Sequence, residues 1–492
     1  MWLVLLALAV VTRFGWALWV HPPQDHVFSD MAHYVHRARL LASGAVGPGD
    51  RMMAWQAWGT HALLAIPMVL LGPQGSAALE LAALMWAGFS TGTVLLSYRL
   101  AKAVLPAGLA AGSGRPHWPA AAIGGIALVW FPLVSHTGFF VSETPYACVL
   151  LATTLAIVTL IQTGEGAGWA GGLGAVAFAL RPQVAVFFAL LALAWLVDRR
   201  RPSWSQRVGR RAVVGFALPL ALVLAVSLVR VRVYVGELAG VAENATMNLT
   251  AARCHNIVTR AWDSEEAMAS AESTGKPKPT RRVSLPGFRA LAERGPDHPL
   301  ALRPALGGEA IDFVGYIGDR SAHRAIRQRC YAATGVVGQL RYSLTNVALA
   351  WVVARPWPES SDHAAPELLP IALRGRNVAA GLAPLGLLGL VFVGWRWVGW
   401  RWAWRRRRAG EPDLPTSEVD QRAGQGVCAL QLLSFLVTSA VFFASPRLRT
   451  PYDPYAWILA AVVIQVAGGW LSRRLAGGRL GSAPPIPPGT HP

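Results

Sequence analysis

The stretch Pro182-Gln-Val-Ala-Val-Phe-Phe-Ala-Leu-Leu-Ala-Leu-Ala-Trp-Leu-Val-Asp-Arg-Arg-Arg201 carries no charge until Asp198 and then closes on three arginines. Arg207, Arg210 and Arg211 follow, and a second apolar run fills 212–233. An apolar run near 20 residues long can cross a bilayer as a helix. Lysine and arginine collect on the cytoplasmic side of such helices. The stretch therefore reads as two membrane helices joined by a basic cytoplasmic turn.

Working outward, the same pattern recurs at 2–20, 79–102, 119–136, 142–162, 168–180, 377–395, 426–444 and 453–471. The expected fold is an all-α polytopic membrane protein with about ten transmembrane helices. Composition agrees. The chain is 53% hydrophobic and only 14% charged, against about 25% charged for an average soluble domain. A net charge of +19 would suit nucleic acid if it lay on one polar face. Here the arginines sit just beyond apolar runs, which favours the membrane explanation. The run 2–20 lacks a basic leader and a small-residue cleavage site, so it reads as an uncleaved first helix.

The basic groups set the orientation. Arg99 and Lys102 end one run, and Arg396, Arg401 and Arg405 to Arg408 follow another. Arg473, Arg474 and Arg479 follow the last. With the N-terminus inside, every group falls on the cytoplasmic side. Trp395, Trp397, Trp400, Trp402 and Trp404 suit an interfacial aromatic belt. The short run 56–72 reads as lying at the interface. The run 168–197 reads as two helices broken at Arg181–Pro182, because a residue before proline disfavours helical geometry.

The chain divides into an N-terminal membrane module (1–234) whose first outer loop is 21–58, an extracytoplasmic loop or small domain (235–374), C-terminal membrane helices (375–472) and a cytoplasmic tail (473–492). The tail is rich in Pro and Gly and is expected to be disordered, and the stretch Ser273 to Thr280 is expected to be mobile. The large loop holds Asn-x-Thr sequons at Asn244 and Asn248. It also holds Cys254 and Cys330, which an oxidising exterior would allow to pair; spacing alone leaves that pairing open. Cys148 and Cys428 fall in apolar runs and read as packing residues.

On the other side a sparse acid and arginine set stands near the ends of the apolar runs; it begins with Asp30, Glu143 and Arg181 and ends with Arg447 and Arg449. Intramembrane and interfacial charges are costly and usually functional. Asp30 lies in His21-Pro-Pro-Gln-Asp-His-Val-Phe-Ser-Asp-Met-Ala-His-Tyr-Val-His-Arg-Ala-Arg-Leu-Leu-Ala-Ser-Gly44. From Met31 this suits an interfacial helix with Tyr34, Ala38, Leu41 and Ala42 on one side. Ser29 or Asp30 could simply cap that helix. Glu143 could be a first-turn acid favoured by the helix dipole, and the arginines could be snorkelling cations. His21, His26, His33, His36 and His61 gather near the loop without His-Glu-x-x-His spacing. No P-loop, Gly-x-Ser-x-Gly or Cys-x-x-Cys motif occurs. This argues against an ATP-driven transporter, a serine hydrolase of that type and a redox carrier.

Ser29-Asp30-Met31-Ala32-His33-Tyr34, with its following helix and Gly44, resembles the first outer loop of the GT-C glycosyltransferases. The branch it is similar to is bacterial, related to protein mannosyltransferases and the aminoarabinose transferase of lipid A. Further segments resemble that family in order. Trp58-Gly59-Thr60-His61 and Leu63 to Gly72 resemble its Pro-Gly-hydrophobic-Gly segment, with Trp58 where the family has proline. Val141-Ser-Glu-Thr-Pro-Tyr146 resembles its Ser/Thr-Glu helix start, and Leu180-Arg-Pro-Gln183 its Arg-Pro turn. Val241-Ala-Glu-Asn-Ala-Thr-Met-Asn-Leu249 resembles the start of its large outer loop. Pro446-Arg-Leu-Arg-Thr-Pro-Tyr-Asp-Pro454 resembles its Arg-x-Arg-x-Pro segment. The part of the loop at 250–374 resembles nothing in it.

The resemblance implies a membrane enzyme of the cell envelope that takes a hexose or pentose from a polyprenyl-phosphate donor. Transfer would be inverting, to an extracytoplasmic protein, lipid or glycan, at the outer face of a bacterial plasma membrane. It implies Asp30 as catalytic base with Glu143 in support. Arg181, Arg447 and Arg449 would bind phosphate, which guanidinium groups can grip bidentately, and Tyr452, His33 and Tyr34 would line the site. Asp30 and Glu143 could also hold Mg²⁺ or Mn²⁺, so metal dependence stays open. The rival expectation is a transporter or flippase that grips the same lipid-linked sugar without breaking a bond. Against it, no duplicated halves occur, which transporters often show.

Overall fold

The computed structural model describes residues 1–106, 117–198, 208–238, 240–254, 258–274, 279, 281–283, 310–353, 384–396, 416–442 and 445–477. The basic runs at 199–207 and 401–408, most of Ser273 to Thr280, and the tail beyond 477 lie outside them. Among the described residues, six helices are long and apolar enough to cross a membrane, or seven if one bent pair counts as a span. The chain is mostly helical and membrane-type in character.

The N-terminal elements are α1 (Trp2–Gly15, continued by a π turn to Val20), α2 (Ser29–Ser43), α3 (Gly59–Leu71), α4 (Ser76–Val104), α5 (Trp118–Val129), α6 (Phe131–Ser135) and α7 (Glu143–Thr163). Then come α8 (Ala167–Leu180), α9 (Val184–Asp198) and α10 (Arg210–Val235). The run expected as one helix at 119–136 is instead two, bent by 53°. Trp130 between them is extended, and Pro132 in the first turn of α6 has no N–H to continue α5. The same logic ends α8. Arg181 precedes Pro182 and takes extended geometry, and α9 starts afresh at Val184.

The large loop carries the few strands of this mostly helical chain. It contains α11 (Asn244–Arg253), β1 (Val258–Trp262), α12 (Glu265–Thr274), β2 (Arg281–Val283), β3 (Ala310–Val314) and α13 (Arg320–Ala348). The sheet order is β2-β1-β3. β1 runs antiparallel to β2 and parallel to β3, with Arg260 opposite Asp312. These strands are three to five residues long, and neither Val258-Thr-Arg-Ala-Trp262 nor Ala310-Ile-Asp-Phe-Val314 alternates apolar with polar residues, so they gave no periodic run to read. Cys254 and Cys330 form a disulfide that ties the end of α11 to α13. The chain closes with α14 (Pro384–Arg396), α15 (Thr416–Val441), α16 (Pro446–Arg449) and α17 (Asp453–Gly477).

The main core is built from α1, α4, α5, α7, α8, α9, α15 and α17, through residues such as Val94, Leu150, Ile157, Val427, Leu432 and Ile458. A smaller core joins Met31, Tyr34, Val35 and Ala38 of α2 to Leu64 and Met68 of α3, Trp86 of α4 and Phe139, Phe140 and Val141 before α7. The spacing 31, 34, 35, 38 is one helical stripe. It is rotated from the expected face, since Leu41 is exposed.

These contacts sort the helix ends. At one end His21 bonds the carbonyl of Gly138, and α7 and α9 begin. At the far end Arg99 lies 5.4 Å over the Trp2 ring, Gln425 donates to Val104 O and Gln162 to Asp420 O. α3 does not connect the two ends. A Cβ on its first residue, Gly59, would lie 2.7 Å from the backbone of Ala179 and Leu180, and it is followed closely by the start of α4. Both its termini lie at the first end, where Arg181 also sits.

Candidate functional site

The chain enters α2 through Ser29 at φ +50°, the one non-glycine with positive φ among the described residues. Phe28 is the N-cap and no side chain caps the helix. Asp30 is therefore free of the capping role. Its Oδ1 accepts from Gln56 Nε2 at 3.2 Å, and its Oδ2 accepts from Arg447 Nη1 at 3.0 Å.

Glu143 opens α7 and is 1% exposed. Arg447 grips it in a fork, donating from Nε to Oε1 and from Nη2 to Oε2. Arg181 donates to the same Oε1 and, through Nε, to Ser142 Oγ at 3.0 Å. Two carboxylates and two guanidiniums thus form one neutral, largely dry group. Fork geometry of this kind is the strong form of a charge-assisted hydrogen bond. The side chains of both arginines are 11% exposed, whereas that of Asp30 is 39% exposed. Asp30 is the open corner.

Tyr34 lies one helical turn beyond Asp30 and is buried. Burial first, then the Asp30 charge, push its hydroxyl above the usual tyrosine range, so it stays a neutral donor. His33 is half-buried on the same helix. Tyr452 stands behind the group. Its hydroxyl bonds that of Tyr146 at 2.8 Å and accepts from Gln183 Nε2 at 3.3 Å, while Arg181 lies 5.9 Å over the Tyr146 ring.

Arg449 does not join them. It donates to Asp453 Oδ1 at 2.8 Å and to Ala350 O at 3.0 Å, and lies 5.1 Å over the Trp351 ring. Asp453 in turn accepts from Trp130 Nε1 at 2.8 Å. Arg447 and Arg449, expected to bind phosphate together, thus turn to different partners for a geometric reason. Both lie on α16, where residues two apart face opposite ways.

The divalent-cation expectation also meets an obstacle. Among the described residues no three His, Cys, Asp or Glu side chains gather closely enough to hold a metal. The place between Asp30 and Glu143 that a cation would take is held by the Arg447 guanidinium. These residues, so paired, do not fit a metal.

Two members were missed from sequence. Arg37 is wholly buried and donates to Gln56 Oε1 and to Met52 O. Its position seven residues after Asp30 puts it on the same helical face, a signal that was available. Gln56 sits in Ala54-Trp-Gln-Ala-Trp58, and nothing in that setting distinguishes it. No family model, curated protein or solved structure matches this chain.

Proposed function

We propose that the chain is a GT-C-type membrane glycosyltransferase acting on a polyprenyl-phosphate sugar. The observation that carries this reading is the Arg447 bridge between Asp30 and Glu143, which joins the first outer loop to the segment before the last helix. A lipid-linked donor keeps its tail among the apolar helices and brings its sugar phosphate to their ends. The acceptor hydroxyl oxygen attacks the anomeric carbon while Asp30 takes its proton. The bond from that carbon to the phosphate oxygen breaks, and its electron pair leaves on the phosphate. Arg447 and Arg181 meet that growing charge from positions already fixed by Glu143, which is how preorganised donors lower a barrier. Attack opposite the leaving phosphate inverts the anomeric centre.

The sorting of helix ends supports ten passes: α1, α4, the bent α5–α6 pair, α7, α8, α9, α10, α14, α15 and α17. The positive-inside rule then sets the Asp30 end outward, at the outer face of a bacterial plasma membrane. The acceptor is a protein, lipid or glycan of the cell envelope. Nucleic acid is not a partner in this reading.

The test is to replace Asp30 by Asn and follow a radiolabelled polyprenyl-phosphate sugar in membranes with normal amounts of protein. Label moving to an acceptor in the wild type, and staying on the donor in Asp30→Asn, supports a transferase. Intact donor that merely changes leaflet supports a flippase instead.

A further inference from the structure

Gln56 is held from two sides by arginines, Arg37 fully buried and Arg230 half-buried. Arg230 Nη2 donates to its backbone carbonyl at 3.1 Å and, with Nη1, also holds Met53 O and Val241 O. Arg37 Nη2 donates to its side-chain Oε1. The guanidinium has donors only, so the amide oxygen must face Arg37. The amide nitrogen must then face the other way, and there it meets Asp30 Oδ1 at 3.2 Å. Gln56 is 6% exposed and Arg37 is fully buried, so neither exchanges these partners freely for water.

We infer that Gln56 is a positioning residue for Asp30, with its amide orientation set by Arg37 and its backbone anchored by Arg230. This rests on the transferase reading above and deepens it. Asp30 is the most exposed member of the charged group, and a carboxylate with one partner would rotate about its side-chain bonds. Gln56 fixes Oδ1 while Arg447 meets Oδ2, so the open face of the carboxylate points at one place. An amide suits this task better than a cation. It donates one hydrogen bond without adding a charge that would compete with Arg447, and it leaves the carboxylate its full negative charge.

A role in packing alone and a role in positioning predict opposite rankings for two nearly isosteric variants. Gln56→Glu keeps an oxygen toward Arg37 and turns that contact into an ion pair, but it replaces the donor to Asp30 with a second carboxylate. Gln56→Leu loses both contacts without adding repulsion. If Gln56 only packs, Gln56→Glu is the milder change. If it positions Asp30, Gln56→Glu is the more damaging for turnover while being at least as heat-stable.

The experiment measures steady-state transfer from tritiated mannosyl- or arabinosyl-phosphoryl polyprenol, whichever the purified wild type uses, with Asp30→Asn in parallel. The expected result is a kcat loss of about tenfold to a hundredfold in Gln56→Glu and a smaller one in Gln56→Leu. Donor KM should stay within about twofold, because the phosphate grip is untouched. Arg37→Lys, which keeps a donor toward Oε1, should recover most of the turnover lost in Arg37→Leu. A kcat within about twofold of wild type in Gln56→Glu, or in Gln56→Leu if the glutamate form does not accumulate, overturns the inference. If that happens while Asp30→Asn is inactive, only the role of Gln56 falls. If Asp30→Asn keeps full turnover, the base assignment falls and this inference with it.

Discussion

Arg447 Nη1 lies 3.0 Å from Asp30 Oδ2, across 417 positions of sequence. The same guanidinium forks onto Glu143. One side chain therefore reports on three separate parts of the chain, and its removal is informative. In Arg447→Gln, Glu143 keeps Arg181 as a counterion, so the protein should accumulate normally. Turnover should fall by about a hundredfold to a thousandfold, the usual cost of losing one donor to a developing anion. Transfer assays on equal amounts of purified protein check this. Near-normal turnover would remove Arg447 from the chemistry.

Arg449 should behave oppositely, although it is only two residues away. Its partner Asp453 is 3% exposed and would be left with Trp130 as its remaining side-chain donor. Stripping one member from a buried ion pair costs about 3–5 kcal/mol. Arg449→Leu is expected to lose yield and thermal stability in detergent, and whatever folds should retain its kcat. A fully stable but inactive Arg449→Leu protein would contradict this placement.

His21 gives a pH signature. Burial, then the neighbouring His26 ring at 3.8 Å, push its pKa down to about 4 from the ordinary 6.5. Between those values the unfolded chain binds the proton and the folded chain does not. Stability from this group is therefore full above about pH 6.5 and drains away as pH falls toward 4. Thermal unfolding followed by circular dichroism should show a midpoint dropping over that window. His21→Gln should flatten the drop, and an equally steep curve in that variant would acquit His21.

The disulfide closes a loop of 76 residues in sequence. The chain-entropy relation gives about 4 kcal/mol for a closure of that length. Cys254→Ser together with Cys330→Ser should make the unit of α11, β1 to β3 and α13 markedly more sensitive to limited proteolysis, while α4 and α7 stay protected. Unchanged cleavage rates with and without reductant would show that the bridge adds little.

Gly59 should tolerate no side chain. A methyl group there would meet the backbone at Ala179 and Leu180 at 2.7 Å, and backbone cannot swing aside as a flexible side chain can. Gly59→Ala is expected to displace the turn that carries Arg181, and so to reduce transfer more than stability. Comparing turnover with unfolding midpoint decides it.

What could be read in the sequence was set by how each feature is encoded. The long apolar runs were legible because bilayer-type burial writes itself into composition, and the break at Arg181–Pro182 because proline acts locally. Asp30, Glu143, Arg181 and Arg447 stood out as rare charges at helix ends. The sheet was not legible, since strands of three and five residues without apolar-polar alternation carry almost no periodic signal. The turning of Arg449 away from Arg447 follows from helical phase, which their closeness in sequence does not announce. Gln56 was invisible because an uncharged amide gains meaning only from what surrounds it in space.

The proline break that separates α8 from α9 has a last implication. The two helices have 14 and 15 residues, which at 1.5 Å each reach about 21 and 22 Å. A hydrocarbon slab is about 30 Å thick. If the far ends of both helices stand level with one face of such a slab, Arg181 at the hinge between them lies several ångströms short of the other face. The headgroup of the proposed lipid-linked donor would then reach Arg181 only by sinking into a local hollow.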